Sequence, residues 1–156
     1  MSNAVYGYLY PPLSKEALVA LELYALDCPV NIRSTDKEGL INFPDEYMPQ
    51  GDCFVFDISD GPNSINATYL IDYYEYDPEG SDIGFPANPK ERLDVLLSVL
   101  VDMVRTTKSK KMIVAINECE QIEHIKTMRL SECCAVIRSD FEKYQAPPDT
   151  LYEIVA

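Results

Sequence analysis

Apolar residues recur along this chain with two periods, and each period places an element. Val5 to Tyr10 is a Tyr-rich run that reads as an opening strand, ended by Pro11 and Pro12, which cannot donate to a sheet ladder. Ser14 then stands as an N-cap, Leu13 and Leu18 have the spacing of a hydrophobic staple, and Leu18, Leu21 and Ala25 mark one apolar face of a helix stopped by Cys28 and Pro29. Val30 and Ile32 alternate with Asn31 and Arg33, which predicts a short half-buried strand. Gly39 introduces another from Leu40 to Phe43.

Cys53 to Ile58 and Ala67 to Tyr76 carry the densest aromatic and β-branched content, and the Asp60, Gly61, Pro62, Asn63 turn between them predicts an antiparallel hairpin with a long loop. Asp77 to Pro89 holds three Pro and two Gly and reads as a surface connection. A long helix begins at Asn88, where an N-cap, Pro89 at the first helical position and Glu91 three residues after the cap agree. Leu93, Leu96, Leu97, Leu100 and Val104 form its stripe, widened by Val95, Val99 and Met103. Met112 to Asn117 is a buried strand, Ile125 to Leu130 and Cys133 to Arg138 are further strands, and Leu151 to Val155 closes the chain. Strands in runs with two principal helices predict an α+β fold, a mainly antiparallel or mixed sheet with both helices on one face, in a single domain over residues 1–156. Ser2, Asn3 and Ala4 have the composition of a tag remnant and carry no functional weight.

Composition changes this picture little until charge is considered. Five cysteines (Cys28, Cys53, Cys119, Cys133, Cys134) are an odd number without a CxxC pair, which points to reduced thiols and a cytoplasmic protein. Cys53, Cys119 and Cys134 read as small buried hydrophobes. There is no basic region followed by an apolar run and no apolar stretch approaching ~20 residues, so neither a signal peptide nor a membrane span is expected.

Catalytic kits are poorly represented. His124 is the single histidine, so any centre needing two imidazoles is excluded. Glu118, Glu120 and Glu123 beside it are the one mixed carboxylate and imidazole cluster, but their spacing matches no metal-ligand frame, and turn solvation accounts for them better. Phosphate-binding loops and the serine-hydrolase elbow are absent, and no cofactor is implied.

The charge distribution is the informative feature. The net charge is −13, from 13 Lys and Arg against 26 Asp and Glu, which disfavours nucleic acid and anionic membranes and favours a basic partner. Glu38 to Pro89 contains eleven acids and no Lys, Arg or His, whereas from Lys90 onward ten bases face eleven acids. A solvated face is the plain explanation of such a tract. Its acids, however, lie among aromatic, strand-forming residues, and Tyr buries large area at low entropy cost in interfaces while carboxylates steer a cationic partner. The candidate partner-binding residues are Asp57, Asp60, Tyr69, Asp72, Tyr73, Tyr74, Glu75, Tyr76 and Asp77.

An acidic chain with an aromatic, acid-rich segment and no catalytic kit resembles bacterial toxin-immunity proteins. The resemblance is one of overall character and rests on no family motif, so no functional residues are carried over. It implies a protein that binds and occludes a basic toxin domain, in the manner of a nuclease inhibitor, with carboxylates standing where nucleic-acid phosphates would lie. A DNA-mimic inhibitor or an adaptor would share the same face, and a small enzyme using Cys28 or His124 is the alternative of another class.

Overall fold

The computed structural model describes residues 3–59 and 89–156, which form a six-stranded mixed sheet with three α-helices, an α+β fold. The strands are β1 (Asn3–Tyr10), β2 (Asn31–Thr35), β3 (Phe54–Ser59), β4 (Lys111–Glu118), β5 (His124–Arg129) and β6 (Thr150–Val155). The helices are α1 (Lys15–Asp27), α2 (Pro89–Thr107) and α3 (Leu130–Tyr144). The sheet order is β2-β3-β1-β4-β6-β5, with every pair antiparallel except β5 and β6, which α3 connects in parallel. A parallel pair needs such a crossover. Asn3 and Ala4, which read as a tag remnant, are part of β1, paired with Glu118 and Asn117.

Period-two alternation divides the sheet into two faces with different cover. Val5, Leu9, Phe56, Ile58, Met112, Val114, Ile116, Tyr152 and Ile154 point to the helical side and pack with the buried residues of α1, α2 and α3. The stripe of α2 behaves as its spacing demands: Leu93, Leu96, Leu97, Leu100 and Val104 are all buried. Its N-cap position, Asn88, lies outside the described residues. Among the described glycines Gly7 is the point of close backbone approach, since a Cβ there would stand 2.0 Å from the carbonyl oxygen of Ile113.

The second face, with Tyr6, Tyr8, Val55, Ile113, Ala115 and Leu151, is covered by the segment between β2 and β3 through Leu40 and Phe43. The strand expected at Leu40 to Phe43 is therefore absent. Asn42 turns the backbone left-handed (φ 63°), 3-10 turns form at Lys37–Gly39 and Asp45–Tyr47, and the two apolar side chains plug the sheet from above. The apolar pattern was real, but it belonged to a covering loop.

The strand expected at Cys133 to Arg138 is also corrected: these residues belong to α3. Cys133, Ile137 and Phe141 are buried at helical spacing, and Glu132 accepts a hydrogen bond from the Arg129 amide (3.2 Å), closing the first turn. The third helix adds to the two expected ones on the same face. Finally, both edges of β3 are occupied, by β1 and β2, so its antiparallel partners come from earlier in the chain than the expected hairpin. The other arm of that hairpin, Ala67 to Tyr76, lies outside the described residues. No helix among the described residues is long and apolar enough to cross a membrane.

Candidate partner-binding surface

β1 carries Tyr6, Tyr8 and Tyr10 on one face because side chains alternate along a strand, and this places two hydroxyls beneath the covering segment. Tyr6 donates to the carbonyl of Ile41 (2.8 Å) and Tyr8 to the carbonyl of Tyr47 (2.5 Å). Burial pushes both phenols above their ordinary range, with the Asn117 amide partly opposing it at Tyr6. They act as fixed donors that satisfy loop carbonyls which would otherwise lose water on covering the sheet. Phe43 lies against both rings, at centroid distances of 5.6 and 6.4 Å. Residues 36–53 are thus an ordered flap.

Leu40 and Phe43 point inward with Tyr47 and Met48 packed beside them, while Ile41 and the acids of the flap are left outward. Asp36, Glu38, Asp45, Glu46 and Asp52 are exposed, with Lys37 the one cation between them. Asn42 donates from its side chain to the carbonyl of Glu120 (2.7 Å), which ties the flap to the loop leaving β4. Cys119 and Glu120 in that loop are both left-handed (φ 55° and 61°), and Glu120 and Glu123 are exposed. Asp149 closes the loop from behind: its carboxylate accepts from the Glu118 amide (2.7 Å) and its carbonyl from the amides of Glu123 and His124. Burial raises the Asp149 carboxyl above its ordinary value, and the Glu118 amide works against that rise. Of the glutamates that formed the candidate metal cluster, Glu120 therefore meets the flap at Asn42, whereas Asp36 and Asp52 flank the Thr35 and Phe54 ends of β2 and β3, toward the Tyr10 and Lys111 row. Among the described residues no group of His, Cys, Asp and Glu is arranged to hold a metal ion.

The strand register orders charge along the molecule. Tyr10, Lys111, Val155 and Arg129 form one row across β1, β4, β6 and β5, with Lys108 and Lys110 next to it, while Glu118, Glu120 and Glu123 are at the opposite ends of the strands. Bases therefore gather at one end of this half of the sheet, where Glu153 pairs with Lys111 at 3.4 Å, and Glu118, Glu120 and Glu123 stand at the other.

Of the sequence-derived candidate residues, Asp57 alone is described. It stands opposite Arg33 on the β2 and β3 ladder, and Arg33 grips it from Nε and Nη2 at 2.6 to 3.2 Å. Its carboxylate is therefore already satisfied, and the pair lines a cleft of about 270 Å³ with Tyr6, Thr35, Ile41 and Glu120. Asp60, Tyr69, Asp72, Tyr73, Tyr74, Glu75, Tyr76 and Asp77 lie outside the described residues.

The groups named for the enzymatic alternative have local partners. Cys28 donates to the carbonyl of Val30 (2.9 Å), and burial raises its thiol, which lowers the thiolate fraction a nucleophile needs. His124 is exposed and stacked on Tyr144, with Nε2 3.4 Å from the phenol. The five cysteines are free thiols, but their placement differs from expectation: Cys119 is exposed, Cys53 and Cys134 are half-buried, and Cys133 is the buried one. No protein-family model, curated protein or solved structure matches this chain.

Sequence reasoning missed three structural residues. Tyr6 and Tyr8 were visible as alternating tyrosines, but the loop carbonyls they serve leave no trace in a sequence. Arg92 is fully buried at the start of α2, on the face of Leu96 and Val99, where residue type alone would predict a solvated base.

Proposed function

We propose that this chain is a binding protein of the immunity or inhibitor kind, which captures a basic partner domain through the acidic flap and the adjoining Glu120 and Glu123 loop. One observation carries the reading: the described acids of the uncompensated tract, apart from Asp57, stand exposed on an ordered element pinned by tyrosine hydroxyls. A rigid acidic surface costs little to order on binding, and complementary charge raises the association rate. The segment from Asp60 to Asp77 extends the same acidic run in sequence, and its tyrosines are the proposed anchors. The partner class is a cationic toxin domain such as a nuclease, bound where its nucleic acid would otherwise lie. Catalysis has less support than binding, since Arg33 and Asp57 satisfy each other and the candidate nucleophile Cys28 is held as a thiol.

Capture from the native host followed by mass spectrometry names the partner, and surface plasmon resonance then tests the surface. Replacing Glu38, Asp45, Glu46 and Asp52 by Gln or Asn should lower the association rate and flatten its salt dependence. An acidic partner, or binding indifferent to both salt and these substitutions, rules the reading out. A partner that is itself a nuclease selects immunity over a general adaptor.

A further inference from the structure

The outer face of α1 carries a second and unrelated signal. This helix buries only Leu21 completely, and Tyr24 anchors it to α2 by donating to Asp102 (3.0 Å). Its outward side should therefore be polar, as on an ordinary surface helix. Instead Val19, Leu23 and Leu26 are 53, 61 and 79% exposed. Their i, i+4, i+7 spacing makes them one continuous stripe along the helix. Scattered exposed apolar residues need no explanation, but an aligned row does.

The stripe has an acidic rim on both sides. Glu22 lies three residues from Val19 and four from Leu26, on one flank, while Glu16 and Asp27, three residues from Val19 and four from Leu23, lie on the other. All three carboxylates are exposed, against Lys15 as the one base of the helix. Beyond Glu22 the apolar surface continues through Leu18, 37% exposed, into a cleft of about 310 Å³ between α1 and the sheet edge, lined by Leu21, Ala25, Ile32 and Phe54.

We infer that this face of α1 docks an amphipathic helix with a basic rim, supplied by a partner protein. A ridge of apolar side chains beside a cleft lined by Leu21, Ala25, Ile32 and Phe54 matches the way one helix lays its i, i+3, i+4, i+7 anchors along another. The rim selects the sign of the partner. A second copy presenting the same face would bring Glu16, Glu22 and Asp27 against their own kind in a molecule of net charge −13, so the cationic helix is the complementary occupant. This surface is independent of the acidic flap and does not require the proposed function.

The test uses the full chain and three synthetic peptides: a helical leucine and lysine peptide with i, i+3, i+4, i+7 leucines, a scrambled isomer, and the same pattern with glutamate for lysine. Fluorescence anisotropy should show the patterned lysine peptide binding at least about tenfold more tightly than either control, with a similar loss in the Leu23→Ser, Leu26→Ser double variant. Both substituted side chains are exposed, so an unchanged urea midpoint and circular dichroism spectrum will show that the loss is not unfolding. The discrimination between peptides should survive neutralisation of the flap acids. Equal binding of the scrambled peptide, or indifference to the double variant, overturns the inference. So does wild-type self-association in sedimentation velocity that the double variant abolishes, because the face would then be an interface between copies.

Discussion

The Tyr8 hydroxyl donates to the backbone carbonyl of Tyr47 at 2.5 Å, across 39 residues of sequence, and so fastens the acidic flap to the centre of the sheet. Tyr6 does the same for Ile41 while accepting from the Asn117 side chain (2.9 Å). The two pins are unequal. Asn117 is fully buried and its Oδ1 has no hydrogen-bond partner among the described residues, so removing the Tyr6 hydroxyl would strand the whole amide. Tyr8→Phe should cost about 0.5 to 1.5 kcal/mol and Tyr6→Phe about 1 to 3 kcal/mol, read from urea midpoints. Limited proteolysis should cut between Asp36 and Cys53 sooner in both variants. Equal midpoints for the two variants would show that Asn117 does not depend on Tyr6.

These pins also show how far a sequence can be read. The strands of the central sheet and the α2 stripe were legible because periodicity reports which face is buried. Leu40 to Phe43 was misassigned because Leu40 and Phe43 are buried without belonging to any repeating element, and period carries no information about a loop that covers a sheet. Cys133 to Arg138 was misassigned for a different reason. A short apolar run is ambiguous between helix and strand, and the deciding residues, Glu132 at the cap and Phe141 one turn beyond Ile137, lie outside it. The acidity of the flap was fully legible, whereas the Arg33 partner that satisfies Asp57 required the β2 and β3 register.

Asp140 offers a test of how α3 is held between β5 and β6. It is buried on the helix, accepts from the Tyr152 hydroxyl (2.8 Å) on β6, and takes the Lys126 ammonium (2.6 Å) on β5. One carboxylate thus joins all three elements of the crossover. Burial, with Asp140 next to it, holds the Tyr152 phenol protonated, so it is available as a donor. Asp140→Ala should cost about 2 to 3 kcal/mol, because a fully buried hydroxyl loses a charged acceptor. Lys126→Met should cost less, since that side chain is 42% exposed and solvent screens the pair. Combining Tyr152→Phe with Asp140→Ala should be less damaging than the sum of the two, and strict additivity would show that the bond contributes nothing.

Thiol reactivity follows from placement. Cys119 is exposed on the left-handed turn after β4, whereas Cys133 faces the core and its thiol is pushed up to about 12 by burial and by the neighbouring Cys134. Only thiolate reacts with a disulfide reagent, so native protein at mildly alkaline pH should show a fast phase belonging to Cys119. Cys119→Ser should remove that phase. Cys133 should react on unfolding, and its modification at a rate independent of denaturant would place it outside the core.

Asp149 sets a pH dependence whose sign can be worked out. Burial raises its folded-state carboxyl above the ordinary value of 3.8, more than the Glu118 amide lowers it, with Glu123 adding to the rise and His124 opposing it. In the window between the unfolded and folded values the native state therefore holds more protons than the unfolded state. Stability falls as pH rises through that window, the reverse of a salt-bridged carboxylate. Asp149→Asn keeps an oxygen for the Glu118 amide and removes the ionisation, so the variant should lose less stability than wild type on going from acid toward neutral pH. The change should be local as well as global. The turn carrying Glu120 hangs on Asp149, so hydrogen exchange at the Glu118, Glu123 and His124 amides should quicken with pH beyond the intrinsic rate in wild type and less so in the variant. A steeper loss of stability in Asp149→Asn would mean that the charge on this carboxylate supports the loop, through its hold on the Glu118 amide, more than burial opposes it.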